Sequence, residues 1–149
     1  GKALNTVSEV IDLATLAISA EAVGIMQKMN ELTLDYTKTR EQFGQALSKF
    51  QALQHRMVDT FMVHEQTKSL LLMAAAKMND KAADTSKSIS ALKYQIGSAA
   101  KLIGEESIQL HGGMGVTEEM SIGHYFKRLT TIRTIFGNSD YHLKRYSSL

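Results

Sequence analysis

Proline, cysteine and tryptophan are all missing from the 149 residues. Without proline, no helix interior meets a residue that lacks its backbone N–H, so long helices can run unbroken. Without cysteine there are no disulfides and no thiolate metal sites, and a reducing compartment is the simplest setting. No apolar run approaches the roughly 20 residues of a membrane-spanning helix. No signal peptide is visible, although a piece of a longer chain would have lost one. Charge of one sign is also scarce: the net charge is +2, and the basic residues are scattered, as at Lys38, Arg40, Lys49, Arg56, Lys68 and Lys77. A nucleic-acid partner is therefore not expected, because it needs a continuous positive stripe. A few local phosphate contacts remain possible. The five histidines, His55, His64, His111, His124 and His142, show no ligand spacing, so no metal is expected either. The eight methionines suit core filling.

What is present is helical periodicity. Leu4, Val7, Ile11, Ala14, Ile18, Ala22, Ile25, Met29, Leu32 and Tyr36 recur at steps of three or four, which predicts one long helix with a single apolar face. Such a helix needs antiparallel partners of similar length. A second is predicted from Ser48 as N-cap, with Phe50, Leu53, Met57, Phe61, Leu71, Ala75 and Met78 inward, before a polar turn at Asn79 and Asp80. A third runs from about Asp84 to Leu110, with Ile89, Leu92, Ile96, Ala99, Ile103 and Leu110 inward, and stops at Gly112 and Gly113. A fourth is expected from about Thr117, carrying Ile122, Tyr125, Phe126 and Leu129. Gly137 breaks it before a tail helix near Asp140 to Tyr146. The β-branched stretch Thr130 to Phe136 reads as helix for want of a partner strand. The fold class is all-α: an up-and-down four-helix bundle of long helices plus a short C-terminal helix, in a single domain over residues 1–149.

Three polar loops hold the unusual residues. Arg40, Gln42, Phe43 and Gly44, followed by Phe50 and Gln51, put a guanidinium, amides and aromatics between two long helices. An arginine fork suits phosphate, and a phenylalanine beside it can cover a flat ring. Read without a ligand, the same residues make a helix end with Gly44 in a left-handed turn. Gln109 to Thr117 contains Gly112, Gly113 and Gly115, where a ligand or another backbone can come close; otherwise it is a helix-breaking loop. Asn138, Ser139 and Asp140 cap the last helix or present hydrogen-bonding groups to a ligand.

Together, in this order, the loops resemble the acyl-CoA dehydrogenase family. Tyr36, Arg40, Phe43 and Gly44 match its Y-x-x-x-R-x-x-F-G pattern, Phe50, Gln51 and His55 its F-Q-x-x-x-H, and Gln109 to Thr117 its Q-x-x-G-G-x-G-x-T. The match spans about Ala20 to Tyr146. The resemblance implies a C-terminal helical domain cut from a larger chain with an N-terminal helical domain and a β-domain upstream. It implies FAD as cofactor, α,β-dehydrogenation of an acyl-CoA thioester, a homo- or hetero-oligomer, an electron-transfer flavoprotein or similar acceptor, a role in lipid metabolism and a bacterial cytoplasmic location. The implied FAD contacts are Arg40, Gln42 and Phe43 across a subunit interface, with Phe50, Gln51, Gln109, Gly112, Gly113, Asn138, Ser139 and Asp140. A flavin-free structural bundle is the competing reading.

The family's catalytic base does not carry over. Many members place a glutamate after the fourth helix in a Y-E-G-T pattern; here Phe136, Gly137, Asn138 and Ser139 stand there, with Gly137 at the glutamate position. Members with the base on the first long helix align it with Ala14, beside Thr15. Glu21 and Asp140 are the remaining carboxylate candidates. The Phe-Gly-x-x-Asp-Tyr-His ending resembles a bacterial branch that handles bulky acyl groups, including steroid side chains, and that pairs catalytic with non-catalytic subunits. This chain is then either a non-catalytic half or an enzyme with a relocated base.

Overall fold

The computed structural model describes residues 2–149, without the side chain of Lys2. Five helices follow one another: α1 Lys2–Thr39, α2 Gln51–Asn79, α3 Thr85–His111, α4 Ser121–Ile132 and α5 Ser139–Ser148. Two two-residue strands, β1 Glu41–Gln42 and β2 Gln45–Ala46, pair antiparallel between α1 and α2.

Side-chain contacts fix the directions. Asp12 meets Ser86 and Tyr36 meets His111, so α1 and α3 run parallel. Arg56 meets Glu106 and Gln95 meets Thr67, so α2 runs against α3. The up-and-down bundle is therefore present, with α3 at its centre. Ile89, Leu92, Ile96 and Ile103 of α3 are fully buried among Ala22, Met26 and Met29 of α1 and Ile122, Leu129 and Ile132 of α4. Close approach depends on absent side chains: a Cβ at Gly104 would lie 2.9 Å from the Phe126 ring, and one at Gly97 would overlap Ser139.

The third helix matches its expected bounds and inward residues. The first does so only from Ala14 onward. Leu4, Val7 and Ile11 are exposed, because Asp12 already lies beside the start of α3, so the first turns of α1 run past the end of that helix. The second helix begins at Gln51 rather than at Ser48, which sits in a 3₁₀ turn over Leu47–Lys49. Its buried residues are Thr60, His64, Thr67 and Ala74, and Phe61 points outward. The seam with α1 is polar: Asn30 donates to the Thr60 carbonyl and Thr37 to the Met57 sulfur. The fourth helix starts at Ser121 and has only 12 residues. Thr117 does not cap it, since the threonine hydroxyl donates back to the Met114 carbonyl. Residues 130–132 continue α4 and 133–136 form turns. No helix among the described residues is long and apolar enough to cross a membrane.

Candidate functional site

The corner after α1 is a tight hairpin. Phe43 (φ 56°) and Gly44 (φ 80°) occupy its two central positions, both left-handed as a type I′ turn requires. Glycine fits such a position, whereas phenylalanine there is strained by on the order of 1 kcal/mol. Phe43 is also 90% exposed, with its ring edge to face against Phe50 at 6.1 Å. A strained aromatic ring so exposed is open to contact with another molecule.

Behind the hairpin, Tyr36, Arg40, Gln42, Arg56, Gln109, Gly112 and Gly113 line one cleft of about 530 Å³. The structure thus joins the first two sequence loops. The Tyr36 ring stacks on His111 at 4.4 Å, and its hydroxyl donates to the His111 carbonyl. His111 donates from Nδ1 to the Ser107 carbonyl at 2.8 Å, and burial pushes its pKa down, so the ring is neutral. Arg56 is paired with Glu106. Among the described residues, Arg40 has no carboxylate partner and lies exposed at the mouth. An unpaired guanidinium, amide side chains and a flat ring beside a glycine-lined wall suit an anionic group carrying an aromatic ring. Phe50 and Gln51 lie at the edge of this corner rather than in the cleft, and Gln51 is exposed.

The third loop does not join the other two. Ser139 packs against Gly97, about four turns and 20 Å along α3 from His111. The implied FAD contacts therefore do not share one corner: α4 runs back along α3, from Gly123 beside Gly115 to Ile132 beside Lys93, and so sets the start of α5 well away from the hairpin. Asn138 is the helix cap, its Oδ1 accepting from the Tyr141 N–H at 2.9 Å. Asp140 lies exposed in the first turn of α5.

The base candidates separate. Glu21 is held by Arg128 in a two-pronged pair at 2.6 and 2.8 Å, and that pair lowers its pKa, which makes it a poor proton acceptor. Thr15 is buried, with its hydroxyl on the Ile11 carbonyl. At Gly137 the backbone has φ +103°, and an added Cβ would stand 2.4 Å from the Tyr141 ring. Tyr141 therefore closes the position that the resemblance aligns with the family's glutamate. Asp140 is the carboxylate next to that turn.

Sequence reasoning missed two buried groups near it. Asp12 accepts from Arg145 at 2.7 and 3.0 Å and from Ser86 at 2.6 Å, tying α5 to α1 and α3. Lys93, 1% exposed, donates to carbonyls of the turn after α4. Its signal was available: Lys93 stands four residues after Ile89 and three before Ile96, on the buried face.

Residues 2–147 match the family model described as the C-terminal domain of acyl-CoA dehydrogenase, and the chain belongs to that family. It is 34% identical over 135 residues to acyl-CoA dehydrogenase IpdE2 of Mycolicibacterium smegmatis, covering 90% of this chain and 41% of that one. It is 29% identical to the mitochondrial short-chain specific acyl-CoA dehydrogenase of Rattus norvegicus, covering 89% of this chain and 32% of that one. Among solved structures, a steroid acyl-CoA dehydrogenase described as a Tcur3481-Tcur3483 G363A variant superposes with a TM-score of 0.88 at 30% identity, over 92% of this chain and 38% of that one. PigA with FAD and proline superposes with a TM-score of 0.86 at 28% identity, over 93% of this chain and 36% of that one. The chain spans about two fifths or less of the length of these relatives.

Proposed function

We propose that this chain is the C-terminal bundle of a longer FAD-dependent acyl-CoA dehydrogenase, and that its hairpin corner holds the ADP half of a flavin bound mainly by a neighbouring subunit. The observation that carries the reading is the unpaired Arg40 and the strained, exposed Phe43 beside the glycine-lined cleft. In this reading Arg40 binds a phosphate, Phe43 covers a ring, and Gln42, Gln109, Gly112 and Gly113 shape the wall. Phe50 braces Phe43, and Gln51 stands beside it. Asn138, Ser139 and Asp140, about 20 Å away, then belong to a second flavin, the one seated against this chain's own upstream domains. When bound, FAD supplies the acceptor for hydride leaving the acyl β-carbon.

Assembly is part of the proposal. An open groove of about 720 Å³ between α1 and α2, lined by Leu34, Met57, Val58 and Phe61, supports a homo- or hetero-oligomer. An electron-transfer flavoprotein or similar acceptor and a bacterial cytoplasmic setting complete it. Gly137 favours a second reading, in which this subunit is non-catalytic and the base comes from a different chain. Otherwise Asp140 is the candidate base.

The full-length protein, purified and denatured, is expected to release FAD, and the native protein's flavin to bleach anaerobically with an acyl-CoA. A protein that neither carries nor takes up FAD would overturn the proposal. Bleaching by this protein alone, without a second type of subunit, would set aside the non-catalytic reading.

A further inference from the structure

The turn between α4 and α5 is strained and gripped from inside. Phe136 (φ 58°) and Gly137 (φ +103°) are both left-handed in succession. Local hydrogen bonds tie part of it, with the Thr134 and Ile135 N–H groups donating to the Thr131 carbonyl at 3.1 and 3.4 Å and the Gly137 N–H to the Thr134 carbonyl at 3.2 Å. The Phe136 and Gly137 carbonyls, and those where α4 ends, are held by two buried side chains from other elements. Lys93 Nζ of α3 donates to Ile132 at 2.9 Å, to Gly137 at 2.9 Å and, more weakly, to Arg133 at 3.4 Å. His142 of α5 donates from Nε2 to Phe136 at 2.9 Å.

A lysine is an expensive way to fill this space. An apolar chain of similar volume avoids the desolvation of a buried ammonium, and burial already pulls Lys93 down to about 8. What the ammonium adds is geometry: one cation gathers the end carbonyls of α4, where the helix dipole is negative, and the far end of the turn in one grip. The grip fixes what the turn presents. Phe136 and Tyr141 stand partly exposed on either side of Gly137, an aromatic rim around a position without a side chain.

We infer that Lys93 is a positioning residue that sets the pose of the Phe136–Gly137 rim against the flavin seated at this end of the bundle. The inference rests on the flavoenzyme reading above. It does not involve the Arg40 cleft, which lies about 25 Å away along α3.

The test is the visible absorption and circular dichroism of FAD bound to the full-length oxidised enzyme, without substrate. Lys93→Met is expected to retain FAD at the wild-type stoichiometry, because the Arg40 cleft is untouched, but to shift the visible bands. Amides of the turn should exchange hydrogen about tenfold faster, as loss of roughly 1.4 kcal/mol of hydrogen bonding implies. Lys93→Arg, which keeps a cation and its donors, is expected to restore most of the wild-type spectrum. A wild-type flavin spectrum in Lys93→Met, whatever its melting temperature, would mean that Lys93 only stabilises the fold and would overturn the inference. If Lys93→Met does not fold, Lys93→Gln is read instead: a shift of the same bands from their wild-type positions supports the proposal and an unchanged spectrum overturns it. Absence of FAD from the wild-type protein is read before any variant, and would remove both the flavoenzyme reading and this one.

Discussion

Removing the Asp12 carboxylate should release the last helix without melting the bundle. Asp12 is 3% exposed and accepts both Arg145 contacts and the Ser86 hydroxyl, so Asp12→Ala strands a guanidinium against the core and removes the main tie between α5 and α1. Breaking a buried pair from one side costs about 3–5 kcal/mol. The Arg145 side chain keeps 18% of its exposure and a second contact to Ser90, so water and the serine offset part of that. About 2–3 kcal/mol remains, which at 1.36 kcal/mol per tenfold is roughly a 30- to 150-fold rise in α5 opening. Hydrogen exchange read by mass spectrometry is the assay. Amides of α5 should exchange faster by that factor while those of α2, which among the described residues makes no hydrogen bond to the pair, keep their protection. Adding Arg145→Met should recover part of the loss, because the stranded charge is then gone. Unchanged α5 exchange in Asp12→Ala would refute the view that this pair holds the helix down.

Phe43→Gly tests whether the hairpin trades stability for binding. The ring is 90% exposed at φ 56°, so the variant should be unchanged or more stable by up to about 1 kcal/mol, yet hold FAD more weakly. A clear fall in melting temperature would show that the ring has a structural role. His142 gives the pH dependence. Burial, first, holds its pKa below the usual 6.5. Below that value an unfolded imidazole takes up a proton that the folded one resists, so its contribution to stability falls as the pH drops from 6.5 through the lowered folded value. Between about pH 7.5 and about pH 5.5 the wild type should lose more melting temperature than His142→Gln, and equal losses would contradict the assignment.

Most of the bundle was legible because α3 is buried all along its length, and periodicity is a faithful guide only where every inward position has a neighbour. On α1 the apolar pattern continues past the place where its partner begins, so Leu4, Val7 and Ile11 carry a helical signal but stand outside this core. On α2 the inward face is Thr60, His64 and Thr67, whose hydroxyls and ring hide burial from a hydrophobic pattern. The Arg40–Phe43 and Gln109–Gly113 loops were readable as a pair because side-by-side helices of similar length bring their ends together. The distance to Asn138 was not, since it depends on α4 running back along α3 before α5 begins. Lys93 was passed over because a lone lysine ordinarily lies on a solvated face.

The central claim is that Arg40 anchors a flavin nucleotide, and FAD titration of the flavin-stripped full-length enzyme tests it most directly. Losing one charge-assisted contact of about 1.5–3 kcal/mol should weaken FAD binding by Arg40→Ala roughly 10- to 150-fold. The flavin-loaded fraction should still be bleached by acyl-CoA at a rate near that of the wild type. Unaltered FAD affinity, or full affinity with bleaching lost, would contradict the account.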